Sequence, residues 1–149
     1  MDRTALTKLI KDTLQDADVR RPEHILYSED AVVLILCTIA IESGFGEERQ
    51  QRGHGPALGI VQMEPATFDW LKAKYPRYLG GHTAPEMIHD DALAILACRL
   101  RYQASPGALP DASDIEGQWL YYKRNYNSML GAATRESFMA AHKRFLEAA

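Results

Sequence analysis

Glu42 closes an almost unbroken apolar run, Ala31-Val32-Val33-Leu34-Ile35-Leu36-Cys37-Thr38-Ile39-Ala40-Ile41, and is followed by Ser43-Gly44-Phe45. An ionised Glu on a buried helix loses solvation, so its proton is held more tightly than in water. A carboxylic acid that stays protonated near neutral pH is the general acid that cleavage of a glycosidic bond requires. The position also works against helix stability. A negative charge in the last turn faces the negative end of the helix dipole, where Lys or Arg is favoured. A residue that violates two local rules at once marks a candidate functional site.

The element that must carry this acid is a helix. Ser28 offers an N-cap, Glu29 and Asp30 form the acidic first turn that a dipole favours, and Gly44 supplies a C-terminal stop. The run is apolar all round, which places the helix in the middle of the domain. A first helix is expected over Arg3 to Ala17, with Leu6, Leu9, Ile10, Thr13, Leu14 and Ala17 on one face, closed by Arg20-Arg21-Pro22. Residues 46–58 are polar and Gly-rich and read as an exposed loop, with a short β-hairpin near 53–62 as an option. Pro65 suits the first position of a third helix, Ala66 to Tyr75, ending before Pro76, and Tyr78 to Pro85 reads as loop. Asp90 caps a helix carrying Leu93, Leu96, Ala97 and Leu100, and residues 105–110 form a break. A helix rich in aromatic residues (Trp119, Tyr121, Tyr122 and Tyr126) follows over Ser113 to Met129, and Gly131 ends it. Thr134 caps the last helix, which bears Phe138, Ala141, His142 and Phe145. No segment shows sustained period-two alternation, so the expected class is all-α, one compact domain over 1–149 with six or seven helices.

Composition narrows the function classes. With 149 residues the chain is long enough for one proper core, and a net charge of -3 gives no general attraction to nucleic acid or anionic membranes. The apolar run would span only about 16 Å as a helix, about half a bilayer core, so it is a core element and no membrane insertion is expected. Cys37 and Cys98 lie in apolar helices without disulfide or metal spacing, and buried free thiols are expected. His54, His82 and His89 lack metal-ligand spacing, and neither a metal nor another cofactor is expected. The start of the chain, Met1-Asp2-Arg3-Thr4, lacks the basic and apolar regions of a secretory signal.

Ile41-Glu42-Ser43-Gly44-Phe45, then a glycine-rich loop, then Gly59-Ile60-Val61-Gln62-Met63-Glu64-Pro65-Ala66-Thr67, and finally Tyr126-Asn127, resemble the soluble lytic transglycosylase family of the lysozyme superfamily. The three motifs run in the family's order and span most of the chain. The sequence departs from the family pattern at Gly46-Glu47, at Glu64, and at Ser128-Met129-Leu130, which delay the glycine to Gly131.

The resemblance implies a lysozyme-like fold and a peptidoglycan glycan strand as partner. Glu42 would protonate the oxygen between N-acetylmuramic acid and N-acetylglucosamine, and would then accept the proton of the sugar's own C6 hydroxyl, leaving a 1,6-anhydro end. It implies that Ser43 orients a group near Glu42, that Gln62 lines the site and contacts sugar or Glu42, and that Tyr126 hydrogen-bonds Glu42. Gly59, Met63 and Asn127 would complete the substrate-binding surface. Glu47, Glu48 and Glu64 keep a hydrolytic muramidase open, with a second carboxylate activating water. A structural or wall-binding component without turnover is the competing class. The 62–67 and 122–127 segments also look like those of small lysozyme-like proteins of tailed bacteriophages. That implies delivery to the cell wall by a virion, with other virion proteins as partners, or release through a holin. Lys123, Arg124, Lys143 and Arg144 read as helix-surface charge.

Overall fold

The computed structural model describes residues 1–49, 55–127 and 131–147. Seven α-helices form among them: α1 (Arg3–Arg20), α2 (Glu29–Ser43), α3 (Pro65–Lys74), α4 (Pro76–Leu79), α5 (Asp91–Gln103), α6 (Ile115–Tyr122) and α7 (Arg135–His142). A 3-10 turn covers Ala84–Ile88, and α6 and α7 each continue into a π-helical turn, Lys123–Asn127 and Lys143–Glu147. The fold is all-α, as the periodicity predicts.

α2 is the axis of the molecule. Ser28 Oγ accepts from the Ala31 amide at 3.0 Å, and Gly44 stops the helix in the left-handed conformation. One side of α2, through Leu34, Ile35 and Ile39, joins the main core with Leu6, Ile10, Leu14, Phe68, Leu71 and Leu100. The other side, through Cys37, packs on a second cluster of Trp119, Tyr122 and Phe138 from α6 and α7. Both sides are covered, which accounts for a helix that is apolar all round. The polar exceptions are matched: Thr38 Oγ1 donates to Leu34 O (2.8 Å) and lies 2.7 Å from the Tyr102 hydroxyl. Both cysteines are free and buried, and burial pushes the Cys37 thiol up to about 12.

Four expectations need correction. α1 runs three residues further than Ala17, to Arg20, because the backbone hydrogen bonding continues to Arg21 N–H on Ala17 O. The stretch from Tyr78 to Pro85 is not plain loop: Tyr78 lies in α4 and Pro85 in the 3-10 turn, each started by a proline in its first turn. In place of a hairpin near 53–62, the described residues carry a single antiparallel bridge, Leu58 with Met63; residues 50–54 lie outside the described part. Arg49 is not an exposed loop residue. Its guanidinium pairs with Asp91 at the start of α5 (3.1 Å to Oδ2) and donates to Ile88 O at 3.2 Å.

A carboxylate of α1 helps hold the connection from α1 to α2, together with Arg99, which donates to Leu26 O at 2.7 Å. Asp18 accepts the backbone N–H groups of Leu26 (2.7 Å) and Tyr27 (2.9 Å). Substituting Ala would leave two half-buried donors unsatisfied, a loss of about 2 kcal/mol. Asp18→Ala is therefore expected to lower the free energy of unfolding by that amount, read as a lower urea midpoint at unchanged slope. An unchanged midpoint would show that water replaces the carboxylate without cost.

Candidate active site

Glu42 occupies the last turn of α2, in the position read from the sequence. Burial is the largest influence on its carboxyl and pushes the pKa up to about 7, against opposing hydrogen bonds from Tyr122 and Asn127. The phenol of Tyr122 donates to Glu42 Oε2 at 2.5 Å, and its ring is fully buried. Burial, then the neighbouring carboxylate, keeps that phenol protonated far above its usual range.

The orientation of the Asn127 amide follows from Lys123. An ammonium only donates, so the atom that it faces at 2.8 Å is the amide oxygen, which turns the amide N–H groups toward Glu42. The same ammonium donates to Gly131 O (2.9 Å) and Ala133 O (2.8 Å), which uses all three of its protons. Lys123 thus staples the end of the aromatic helix to the chain that follows. A Cβ on Gly131 would collide with the backbone and side-chain oxygens of Asn127, so the delayed glycine has a packing reason.

The π turn over Lys123–Asn127 sets which residues reach the acid. A π turn closes between residues five apart instead of four. Tyr122 and Asn127 are five apart, share a face, and both bond Glu42. Tyr126, one residue short of that repeat, is turned aside: its ring lies against Tyr122 (centroids 5.9 Å apart) and its hydroxyl donates to Val61 O at 2.6 Å. The expected Tyr126–Glu42 bond is thus corrected, and Tyr122 makes that bond. Tyr122 and Lys123 were the residues missed from sequence. The five-residue interval between Tyr122 and Asn127 was the available signal, hidden because the segment reads as ordinary α-helix.

The remaining residues hold the 58–63 turn. Ser43 does not touch the acid; its hydroxyl donates to Ile60 O at 2.6 Å and accepts from Gly46 N–H at 3.0 Å, tying the end of α2 to the turn. Gly59 is buried and plays no substrate-facing part: at φ +76° a Cβ would stand 2.5 Å from the Met87 carbonyl. Gln62 sits at φ 47°, a strained conformation for a side chain other than glycine's, and its amide donates to Gly59 O at 2.9 Å instead of to Glu42. Met63 is 3% exposed yet still borders the site.

Two open cavities meet at Glu42. One, of about 490 Å³, is bordered by Glu42, Gln62, Met63, Glu64, Thr67, Arg101, Tyr126 and Asn127. The other, of about 570 Å³, is bordered by Glu42, Ser43, Glu47, Glu48, Arg144 and Phe145. Glu42 is the residue common to the borders of both cavities. Neither Lys nor Arg among the described residues forms an ion pair with it. Compared with known proteins, the chain matches no family model, no curated sequence and no solved structure.

The raised acid has a stability cost of definite sign. Between its ordinary value of 4.5 and about 7, the folded chain holds a proton that the unfolded chain has released. Its contribution to stability is full below 4.5 and is lost as pH rises through 7. Glu42→Gln is therefore expected to be more stable than the parent at pH 8, by at most about 3 kcal/mol, with little difference at pH 4. Urea unfolding at the two pH values checks this, and equal differences at both would refute the burial argument. Lys123→Met should move the carboxyl titration of Glu42 upward when followed by NMR, because it releases the Asn127 amide that favours the ionised form. A midpoint that stays in place would show that Lys123 does not position that amide.

Proposed function

We propose that this protein is a peptidoglycan lytic transglycosylase on a lysozyme-like fold, with Glu42 acting first as acid and then as base. The observation that carries the reading is a buried, near-neutral carboxyl, held by two donors, at the border of two open cavities. The order of the Glu-Ser-Gly-Phe, Gln-Met-Glu-Pro-Ala-Thr and Tyr-Asn motifs supports the family assignment.

The two opposing influences on Glu42 suit the two halves of the reaction. Burial keeps the carboxyl protonated, ready to donate to the bridging oxygen between N-acetylmuramic acid and N-acetylglucosamine. As that bond breaks, positive charge develops on the muramyl ring. The carboxylate left behind is stabilised by Tyr122 O–H and the Asn127 amide, both of which favour the ionised form. It then takes the proton of the muramyl C6 hydroxyl as O6 closes on C1. Glu42 is thus reprotonated, and the products are a free N-acetylglucosamine end and a 1,6-anhydro-muramyl end. A pKa near neutrality lets one group serve both steps.

The second reading, hydrolysis by a muramidase, draws on Glu64, which borders the same cavity as Glu42 and makes no side-chain cap bond to α3. Mass analysis of fragments released from purified sacculi separates the two, since water leaves a reducing end and the internal hydroxyl leaves an anhydro end. Anhydro ends are expected, with the rate falling as pH rises through about 7 because the protonated acid is required. Glu42→Gln should reduce release at least about 100-fold while preserving the fold and binding to sacculi. Unchanged release would refute the assignment, and wall binding without release by the parent protein would favour a structural component.

A further inference from the structure

Trp70 is an anomaly of this fold. It is 50% exposed on α3, whereas the other tryptophan, Trp119, is 9% exposed and packed in the second core cluster. Nothing in the packing of α3 calls for an indole there, since Phe68 and Leu71 supply its buried face. Trp70 does not itself border the Glu42 cavity, but it lies next to two residues that do, Thr67 on its own helix and Arg101. Thr67, three residues earlier on the same face, borders the Glu42 cavity, so Trp70 extends that wall by about 4.5 Å, close to the length of one sugar ring.

Arg101 of α5 joins the two places. It borders the same cavity as Glu42, and its guanidinium carbon lies 6.0 Å from the centre of the Trp70 ring. No carboxylate among the described residues pairs with it. A guanidinium held against an indole, facing a cavity and without an acidic partner, has donors to offer a ligand.

We propose that Trp70 and Arg101 form a distal glycan subsite that takes an N-acetylhexosamine ring of the strand held at Glu42. The inference rests on the glycan-cleaving reading of Glu42 and adds to it where the strand runs. A β-linked N-acetylhexosamine carries its substituents in the ring plane and presents axial C–H bonds on its faces, which suit the negative face of an indole. Arg101 donates to the oxygens at the ring edge, and its continuity with the cavity fixes the direction of the strand along α3. The ring at Trp70 lies beyond the scissile bond, so the subsite serves long glycans and is not reached by short ones.

The test uses the full-length Glu42→Gln protein, which holds glycan without cutting it, titrated with chitobiose and with chitohexaose. The hexamer is expected to quench the fluorescence of the exposed tryptophan. Adding Trp70→Ala should abolish that quenching and weaken hexamer binding about tenfold, with dimer binding unchanged. Trp70→Tyr should retain most of the affinity, which separates loss of a stacking face from damage to α3. Equal hexamer affinity with and without Trp70, while the parent still releases fragments from sacculi, overturns the subsite and leaves the function standing. If neither glycan binds and the parent releases nothing, the function falls and the subsite falls with it.

Discussion

The site depends on a contest at one carboxyl group. Removal from water holds the proton on Glu42, and two hydrogen-bond donors, Tyr122 and Asn127, pull the other way. Either influence alone would leave the group fixed in one state at neutral pH: neutral if only buried, ionised if only hydrogen-bonded. Their near balance requires that the distances hold, and much of the surrounding structure consists of braces. Lys123 spends its three protons on fixing Asn127 and the chain after it. The Tyr122 ring is clamped between Trp119, Tyr126 and Phe138.

The turn that borders the cavity beside Glu42 is braced in the same manner. The 58–63 turn is closed by the Leu58–Met63 bridge and pinned to α2 by Ser43 on Ile60 O. It is pinned to the aromatic helix by Tyr126 on Val61 O. Arg49 ties the turn to α5, accepting Gly59 N–H on its own carbonyl while its side chain pairs with Asp91. The strained backbone of Gln62 persists because these contacts over-determine the turn around it.

What could be read from the sequence was what depends on local pattern. Ser28, Gly44 and the apolar run define α2 and put Glu42 in its last turn, because caps and periodicity act within a few residues. Glu42, Gln62, Met63 and Asn127 do border one cavity. Misread residues were those whose role is set by long-range geometry. Ser43 and Tyr126 brace the turn instead of the acid, and Gly59 answers to a carbonyl 28 positions away in sequence, that of Met87. Lys123 and Arg49 looked like surface charge, since nothing in composition distinguishes a solvated cation from one that three carbonyl-type oxygens or an Asp will capture.

The widened turn after α6 makes the spacing of this segment a matter of count as much as of chemistry. Winding the same five-residue span as ordinary α-helix would swing the amide by about 100° around the helix axis. Every side chain named in the site would still be present, yet the acid would lose one of its two donors. Descendants of this chain can exchange many residues along that stretch, but at this length they are not free to tighten its winding.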